Sequence, residues 1–231
     1  MDFSGIEKLS LVDFDDNITC TLFTSGCNFR CPFCQNSSLV LTPNEVIKIP
    51  WSDIYEYLTK RKGVLDAVCI TGGEPTLMPD LKDKIIEIRK LGLKVKLDTN
   101  GSNLNVIKEL VNEHLLDYIA MDIKNSFTNY NKTIGTNFDL NKIKSSIDYI
   151  MHCGVRYEFR TTMMKEYHSE SDIVEIGEML KGADRYFIQH FIDSEYCIKR
   201  GLHEIDRDTA LNFKKILEKN IKSVELRGYD I

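Results

Sequence analysis

Cys27, Cys31 and Cys34 share the segment SGCNFRCPFCQN, separated by three and then two residues. Thiolates are soft ligands that select zinc, copper(I) or iron–sulfur clusters, and this spacing on a loop lets three sulfurs face one small object. A structural zinc site takes four protein ligands at comparable spacing, and no fourth Cys or His lies nearby. A four-iron cluster held by three cysteines leaves one iron open to a substrate or cofactor, whereas a fully ligated cluster mainly passes electrons. Cys20, Cys69, Cys153 and Cys197 read as packing residues, since free cysteine is among the most buried types.

Other polar residues recur where a regular architecture would gather them. Apolar runs rich in β-branched residues predict strands over 18–23, 67–71, 93–97, 118–122, 155–161, 185–191 and 223–226. Amphipathic stretches predict helices over 51–62, 103–112, 140–151, 172–180 and 206–219, with another between Asp80 as N-cap and Gly92 as the residue past its end. Strands alternating with helices imply a parallel sheet of right-handed βαβ units. About six units are too few for a closed eight-unit barrel, so the expected fold is α/β, a partial (β/α)6 TIM-like barrel, with residues 1–231 as one domain.

In such folds ligands bind at the carboxyl ends of the strands. The cysteine loop follows the first predicted strand and Gly72-Gly73-Glu74-Pro75 the second. Asp98-Thr99-Asn100-Gly101 ends the third, Asp122-Ile123-Lys124 the fourth, and Arg160 and Gln189-His190 stand at the next two. Each alone is ordinary turn or capping chemistry; their shared rim favours a site.

With 35 acidic against 30 basic residues the net charge is -5, and no basic run forms a stripe, which argues against nucleic acid. The first residues are acidic where a secretory peptide would be basic, and no stretch approaches the roughly 20 apolar residues of a membrane span; a cytoplasmic protein is expected. Seven cysteines without an export signal argue against a disulfide framework. His114, His152, His168 and His203 lie in or beside predicted helices without ligand spacing and read as surface or packed residues. No Walker loop, Ser–His–Asp set or paired carboxylates point to hydrolysis.

Cys27-x3-Cys31-x2-Cys34, with Phe33 before the last cysteine, resembles the cluster motif of the radical S-adenosylmethionine (SAM) superfamily, and Gly72-Gly73-Glu74-Pro75 is similar to its second motif. The resemblance implies one 4Fe-4S cluster on the three cysteines, with SAM on the open iron. One electron cleaves the sulfonium to methionine and a 5′-deoxyadenosyl radical, which abstracts hydrogen. It also implies that Phe33 to Gln35 approach the adenine and that Gly72, Gly73 and Glu74 lie at the methionine ammonium. Asp122, Ile123 and Lys124 would meet the ribose and carboxylate, His190 the adenosyl portion, and Asp98 and Thr99 a monovalent cation.

The segments LDTNG, MDIK and VELRG resemble glycyl-radical-enzyme activating proteins, closest to those serving the anaerobic ribonucleoside-triphosphate reductase. That implies a glycyl radical enzyme as partner. Residues 35–50 contain no cysteine, unlike relatives with a ferredoxin-like insert, so an external flavodoxin or ferredoxin is expected as reductant. Arg227-Gly228-Tyr229 lacks two residues of the Arg-x-x-Gly-Tyr segment that carries the glycyl radical and reads as a terminal strand and tail. Alternatives are an activase of pyruvate formate-lyase type, a small-molecule enzyme such as 7-carboxy-7-deazaguanine synthase, and a non-catalytic cluster protein.

Overall fold

The computed structural model describes residues 2–229. It is an α/β fold with a mostly parallel eight-stranded sheet whose strand order follows the chain, β1 to β8. The chain forms two compact units, one comprising residues up to Asn28 with Asn36–Ala120, the other Phe29–Gln35 with residues from Met121 onward.

The first unit opens with β1 (Gly5–Ser10), antiparallel to β2 (Thr19–Thr24), with an irregular register between Glu7 and Ser10. The sequence patterns do not predict β1, whose middle residues are exposed and charged and leave no apolar run. Helices α1 (Ser37–Leu41) and α2 (Trp51–Lys60) follow, then β3 (Ala67–Gly72), parallel to β2 in continuous register from Thr19↔Ala67 to Thr24↔Gly72. After a 3-10 turn at Pro75–Leu77 come α3 (Leu81–Lys90), β4 (Lys94–Thr99), which pairs parallel with β3, and α4 (Leu104–Asn112). Gly92 takes φ +82° just past α3, the left-handed position expected of it. Asp80 stands at the N-cap of α3 but its side chain makes no capping bond. Val68, Ile70, Val95 and Leu97 are buried, as are Ile85, Ile88, Ile107 and Leu110 on the helices, giving this unit its core.

β5 (Tyr118–Asp122) spans the point where the units meet in the chain. The second unit continues with α5 (Tyr130–Ile134), α6 (Leu140–His152), β6 (Arg156–Met163), α7 (Glu170–Met179), β7 (Arg185–His190), α8 (Arg207–Leu217) and β8 (Ser223–Arg227). Helix α7 starts two residues before the predicted 172, because Ser169 and Asp172 form a reciprocal capping box that places Asp172 inside the first turn. β6, β7 and β8 run parallel, with Arg160 opposite Phe187 and Gln189 opposite both Thr162 and Arg227.

Alternation then sorts the side chains. Phe159, Tyr186, Ile188 and Val224 are buried on one face, and the buried Ile173, Ile176 and Phe213 line α7 and α8. The other face carries Glu158, Arg160, Gln189, Glu225 and Arg227. Parallel strands are ordinarily apolar on both faces. A charged face is therefore a departure that marks a place for polar chemistry.

Candidate functional site

In the first unit the ends of β2, β3 and β4 are knit together by backbone contact. Gly73 N–H donates to the Thr24 carbonyl at 2.9 Å and Glu74 N–H to the Gly26 carbonyl at 2.8 Å. A Cβ on Gly73 would lie 2.0 Å from the Gly26 oxygen, and one on Gly72, whose φ is +116°, 2.4 Å from the Thr24 backbone. Both glycines are thus dictated by the approach of β3 to the start of the cysteine loop. Asn36 Nδ2 adds a bond to the Gly72 carbonyl at 3.2 Å.

Glu74 is 1% exposed and receives four donors. They are Thr76 N at 3.1 Å, Thr76 Oγ1 at 2.5 Å, Thr99 Oγ1 at 2.7 Å and Asn100 N at 2.7 Å. Its carboxylate clamps the turn after β3 to the end of β4. Burial nevertheless outweighs these donors and pushes its pKa up. The clamp occupies the Thr99 hydroxyl, and the Lys96 ammonium lies 3.9 Å from the Asp98 carboxylate. Asn100 also reaches the cysteine loop, with Nδ2 3.8 Å from Cys27 Sγ and 3.0 Å from Asn28 Oδ1.

In the second unit the loop Phe29–Gln35 is held on both sides. Arg30 N–H donates to the Ile134 carbonyl at 2.8 Å, and Gly135, at φ +64°, approaches the Arg30 carbonyl so closely that a Cβ would come within 2.5 Å. On the other side Ile198 N–H donates to Cys34 O at 3.1 Å and Lys199 N–H to Pro32 O at 2.8 Å, and Gln35 Nε2 donates to Ile192 O at 2.8 Å. Phe33 is buried, 6.3 Å between ring centroids from Tyr167.

Asp122 at the end of β5 is bracketed by Arg160 Nε at 2.6 Å and Lys124 Nζ at 2.9 Å. Burial acts to raise its pKa, but the two cations outweigh that and hold the carboxyl well below the usual range. Lys124 is pulled down by burial and pushed up by the charges of Asp122 and Cys31, and the upward push wins. Ile123 N–H donates to the Arg160 carbonyl at 2.9 Å, and Thr161 Oγ1 donates to the Ile123 carbonyl at 2.6 Å.

The expectation for His168 was a surface or packed role, and the structure gives it a specific one. It is buried, Nδ1 accepts from Met164 N at 3.2 Å, and Nε2 faces the Lys124 carbonyl at 3.0 Å. An accepting Nδ1 fixes the tautomer, so Nε2–H donates and holds the Lys124 backbone. Burial pushes its pKa down, which keeps the ring neutral. Nothing local signals this, because Lys124 and His168 are 44 residues apart. His190 Nε2 pairs with Glu204 at 2.7 Å, and its ring lies 4.7 Å from that of Tyr229. The tail predicted at Arg227-Gly228-Tyr229 therefore packs on a candidate cofactor residue.

All seven cysteines are free thiols. Burial, and after it Glu7, pushes Cys20 up to about 12, so this thiol does not ionise near neutral pH, in keeping with a packing role. Cys27 Sγ lies 3.8 Å from the Asn100 side-chain amide, and Cys31 is near enough to Lys124 to act on its charge. Among the described residues no three His, Cys, Asp or Glu converge on one ion position. A four-iron cluster needs no such convergence, because each cysteine serves a different iron. The donor set fits that group. No helix of the described residues is long and apolar enough to cross a membrane.

Comparison with known proteins identifies the family. A Methanocaldococcus jannaschii protein carrying the provisional name glycyl-radical enzyme activating enzyme is 36% identical over 198 residues, 81% of this chain and 79% of its own. The pyruvate formate-lyase-activating enzyme of Staphylococcus aureus is 30% identical over 131 residues, 52% of this chain and 51% of its own. Among solved structures, Streptococcus suis SuiB bound to S-adenosylmethionine superposes with a TM-score of 0.69 at 17% identity, over 90% of this chain and 52% of its own. This chain thus spans about half the length of that structure, and the likeness speaks to the fold. The family profile of the radical SAM superfamily matches residues 21–180. The chain belongs to the radical SAM superfamily, whose members work with a 4Fe-4S cluster and S-adenosylmethionine.

Proposed function

We propose that this radical SAM enzyme activates a glycyl radical enzyme, and that its target is the anaerobic ribonucleoside-triphosphate reductase. The relationship to the M. jannaschii protein, which runs over 81% of the chain, carries the activase reading. The resemblance of LDTNG, MDIK and VELRG supports the reductase as target. When bound, the cluster and SAM supply one-electron cleavage and hydrogen-atom abstraction. The protein's task is to hold, orient and shield them.

In this reading Cys27, Cys31 and Cys34 hold the cluster, and the backbone at Gly72 and Gly73, set by its packing on Thr24 and Gly26, lies at the methionine ammonium. Lys124, kept protonated beside Asp122, meets the cofactor carboxylate, while Asp122 faces the ribose. Ile123 orients both through its backbone bonds to Arg160 and Thr161. Backbone at Phe33 and Gln35 lies along the adenine, and His190 supports the adenosyl portion. Glu74 acts through the turn it clamps and is a positioning residue. Asp98 and Thr99 contribute to the same strand end, and a monovalent cation there would compete with Lys96 and Glu74 for their oxygens.

The test is anaerobic. The reconstituted protein is reduced, mixed with SAM and the reductase, and followed by electron paramagnetic resonance and 5′-deoxyadenosine release. A glycyl doublet on the reductase, growing with the nucleoside, is the expected result. SAM cleavage without a doublet would reject this partner. The Cys31→Ala variant should bind no cluster, and Cys20→Ala should bind a full complement; iron and sulfide content measures both.

A further inference from the structure

Tyr130 opens α5 and is wholly buried, yet among the described residues its hydroxyl has no partner within hydrogen-bond length. Buried phenols ordinarily find one, because an unpaired buried hydroxyl is destabilising. Two other buried tyrosines of the second unit follow that rule. Tyr186 donates to Thr161 Oγ1, and Tyr157 accepts from Asp184 N–H at 3.0 Å. The Tyr130 hydroxyl therefore calls for a partner that is not polypeptide, and its position says which. Tyr130 and Ile134, four residues apart, share one face of α5 and are both fully buried. The Ile134 carbonyl accepts from Arg30 N–H at 2.8 Å, and Gly135 stands against the Arg30 carbonyl with no room for a Cβ. That face of α5 is thus laid against the residue before Cys31. The groups near enough to act on the hydroxyl are the Lys124 backbone and ammonium, then Cys31, and after it Asp122. Lys124 N–H and Nζ are donors and take no proton from it. Each Asp122 oxygen already accepts from a cation, Oδ1 from Arg160 and Oδ2 from Lys124, which leaves the sulfur as the open acceptor.

We propose that the Tyr130 hydroxyl donates a hydrogen bond to the Cys31 sulfur when that sulfur ligates the cluster, and so sets how readily the cluster is reduced. A thiol sulfur is a weak acceptor, whereas an iron-bound thiolate carries charge and rewards a donor. Hydrogen bonds to the sulfurs are one of the levers on cluster potential. The donor favours the reduced form, in which the sulfurs are more negative. Tyrosine keeps its proton at neutral pH in any case, and burial, the largest influence here, pushes its pKa further up. The inference rests on the three cysteines holding the cluster and is independent of which protein supplies the glycine.

The test is Tyr130→Phe, which removes the oxygen and keeps the ring. In the reconstituted full chain without SAM, a redox titration followed by electron paramagnetic resonance should find the cluster harder to reduce. At a fixed potential the ratio of reduced to oxidised cluster should fall about tenfold, a shift of about 59 mV for one electron. Tyr186→Phe removes an equally buried hydroxyl that is already bonded to Thr161, and should leave the potential unchanged. In D2O, electron-nuclear double resonance of the reduced cluster should show an exchangeable deuteron in the unaltered protein that Tyr130→Phe lacks. Before reconstitution, Tyr130→Phe should melt no lower than the unaltered protein, because the hydroxyl it loses had no partner, whereas Tyr186→Phe should melt lower. An unchanged potential or a persisting deuteron would overturn the proposal, as would an effect confined to SAM affinity, which would assign the hydroxyl to the cofactor. A lower melting point for the metal-free Tyr130→Phe protein would also overturn it, since the hydroxyl would then bond within the polypeptide. Failure of the cysteine assignment would look different: iron and sulfide would be missing from the unaltered protein as well, and both readings would fall.

Discussion

In the unit built on β2, β3 and β4 the strand ends are joined by bare backbone and one carboxylate that is buried among neutral donors. In the unit built on β6, β7 and β8 the corresponding work is done by alternating charges, Arg227 to Glu158 to Arg160 to Asp122 to Lys124. The first arrangement is steric and tolerates no added atom. The second is electrostatic and gains from every neighbour it keeps charged. The two carboxylates at their centres consequently titrate in opposite directions, Glu74 upward and Asp122 downward.

The steric arrangement should break hardest. Gly73→Ala puts a Cβ 2.0 Å from a backbone oxygen, which cannot rotate away as a side chain could. The strand end or the cysteine loop must move, at a cost of about 3 kcal/mol, at the upper end for overpacking. A thermal midpoint within a degree of the unaltered protein would contradict it. Because the displaced oxygen belongs to Gly26, next to Cys27, cluster content should fall with stability.

The electrostatic arrangement should lose less, and in a pH-dependent way. Asp122→Asn leaves two cations without their shared partner; about 2 kcal/mol is expected, below the usual range for a buried pair because the carboxylate is a quarter exposed. A depressed folded pKa contributes stability that is present above the unfolded value and lost as pH falls through the folded one. Urea midpoints of the two proteins should therefore differ by a constant amount from pH 7 to 5 and converge below about pH 4. Glu74→Gln should cost about 1.5 kcal/mol at neutral pH, since one oxygen becomes a donor facing donors. Here the sign reverses. A raised folded pKa means the native state binds the extra proton, so the unaltered protein loses stability relative to Glu74→Gln as pH rises above about 4.5. Parallel pH profiles would refute the assigned burial effect.

Much of the scaffold was legible because it is local. The run at 67–71, the glycine that ends α3 at position 92 and the cysteine spacings are each written in a few neighbouring residues. β1 was not, because it is an edge strand with an exposed, charged middle. The clamp on Glu74 was not either. Its donors come from Thr76, Thr99 and Asn100, up to 26 positions away, and a glutamate after two glycines reads equally well as a ligand contact. The partnership of Arg160 with Asp122 spans 38 positions, so the sequence marked both residues as strand-end polar groups without joining them. His168 was set aside for the same reason: its role is visible only from the backbone groups on either side of its ring.

The outer end of the charge series should give the smallest effect. Arg227 donates to both oxygens of Glu158, at 3.0 and 3.3 Å, and lies 3.7 Å over the Phe187 ring. Glu158 is 1% exposed and keeps Arg160 at 3.9 Å, so Arg227→Met, which retains packing on Phe187, should cost only about 1 kcal/mol. What remains after that change is a buried carboxylate with fewer partners. Adding Glu158→Gln should then restore part of the loss, since removing both members of a buried pair costs less than removing one. Denaturation of the two single variants and the double variant would measure this directly. Strict additivity would mean that Arg227 and Glu158 act independently, and that the series is a row of neighbours rather than one coupled system.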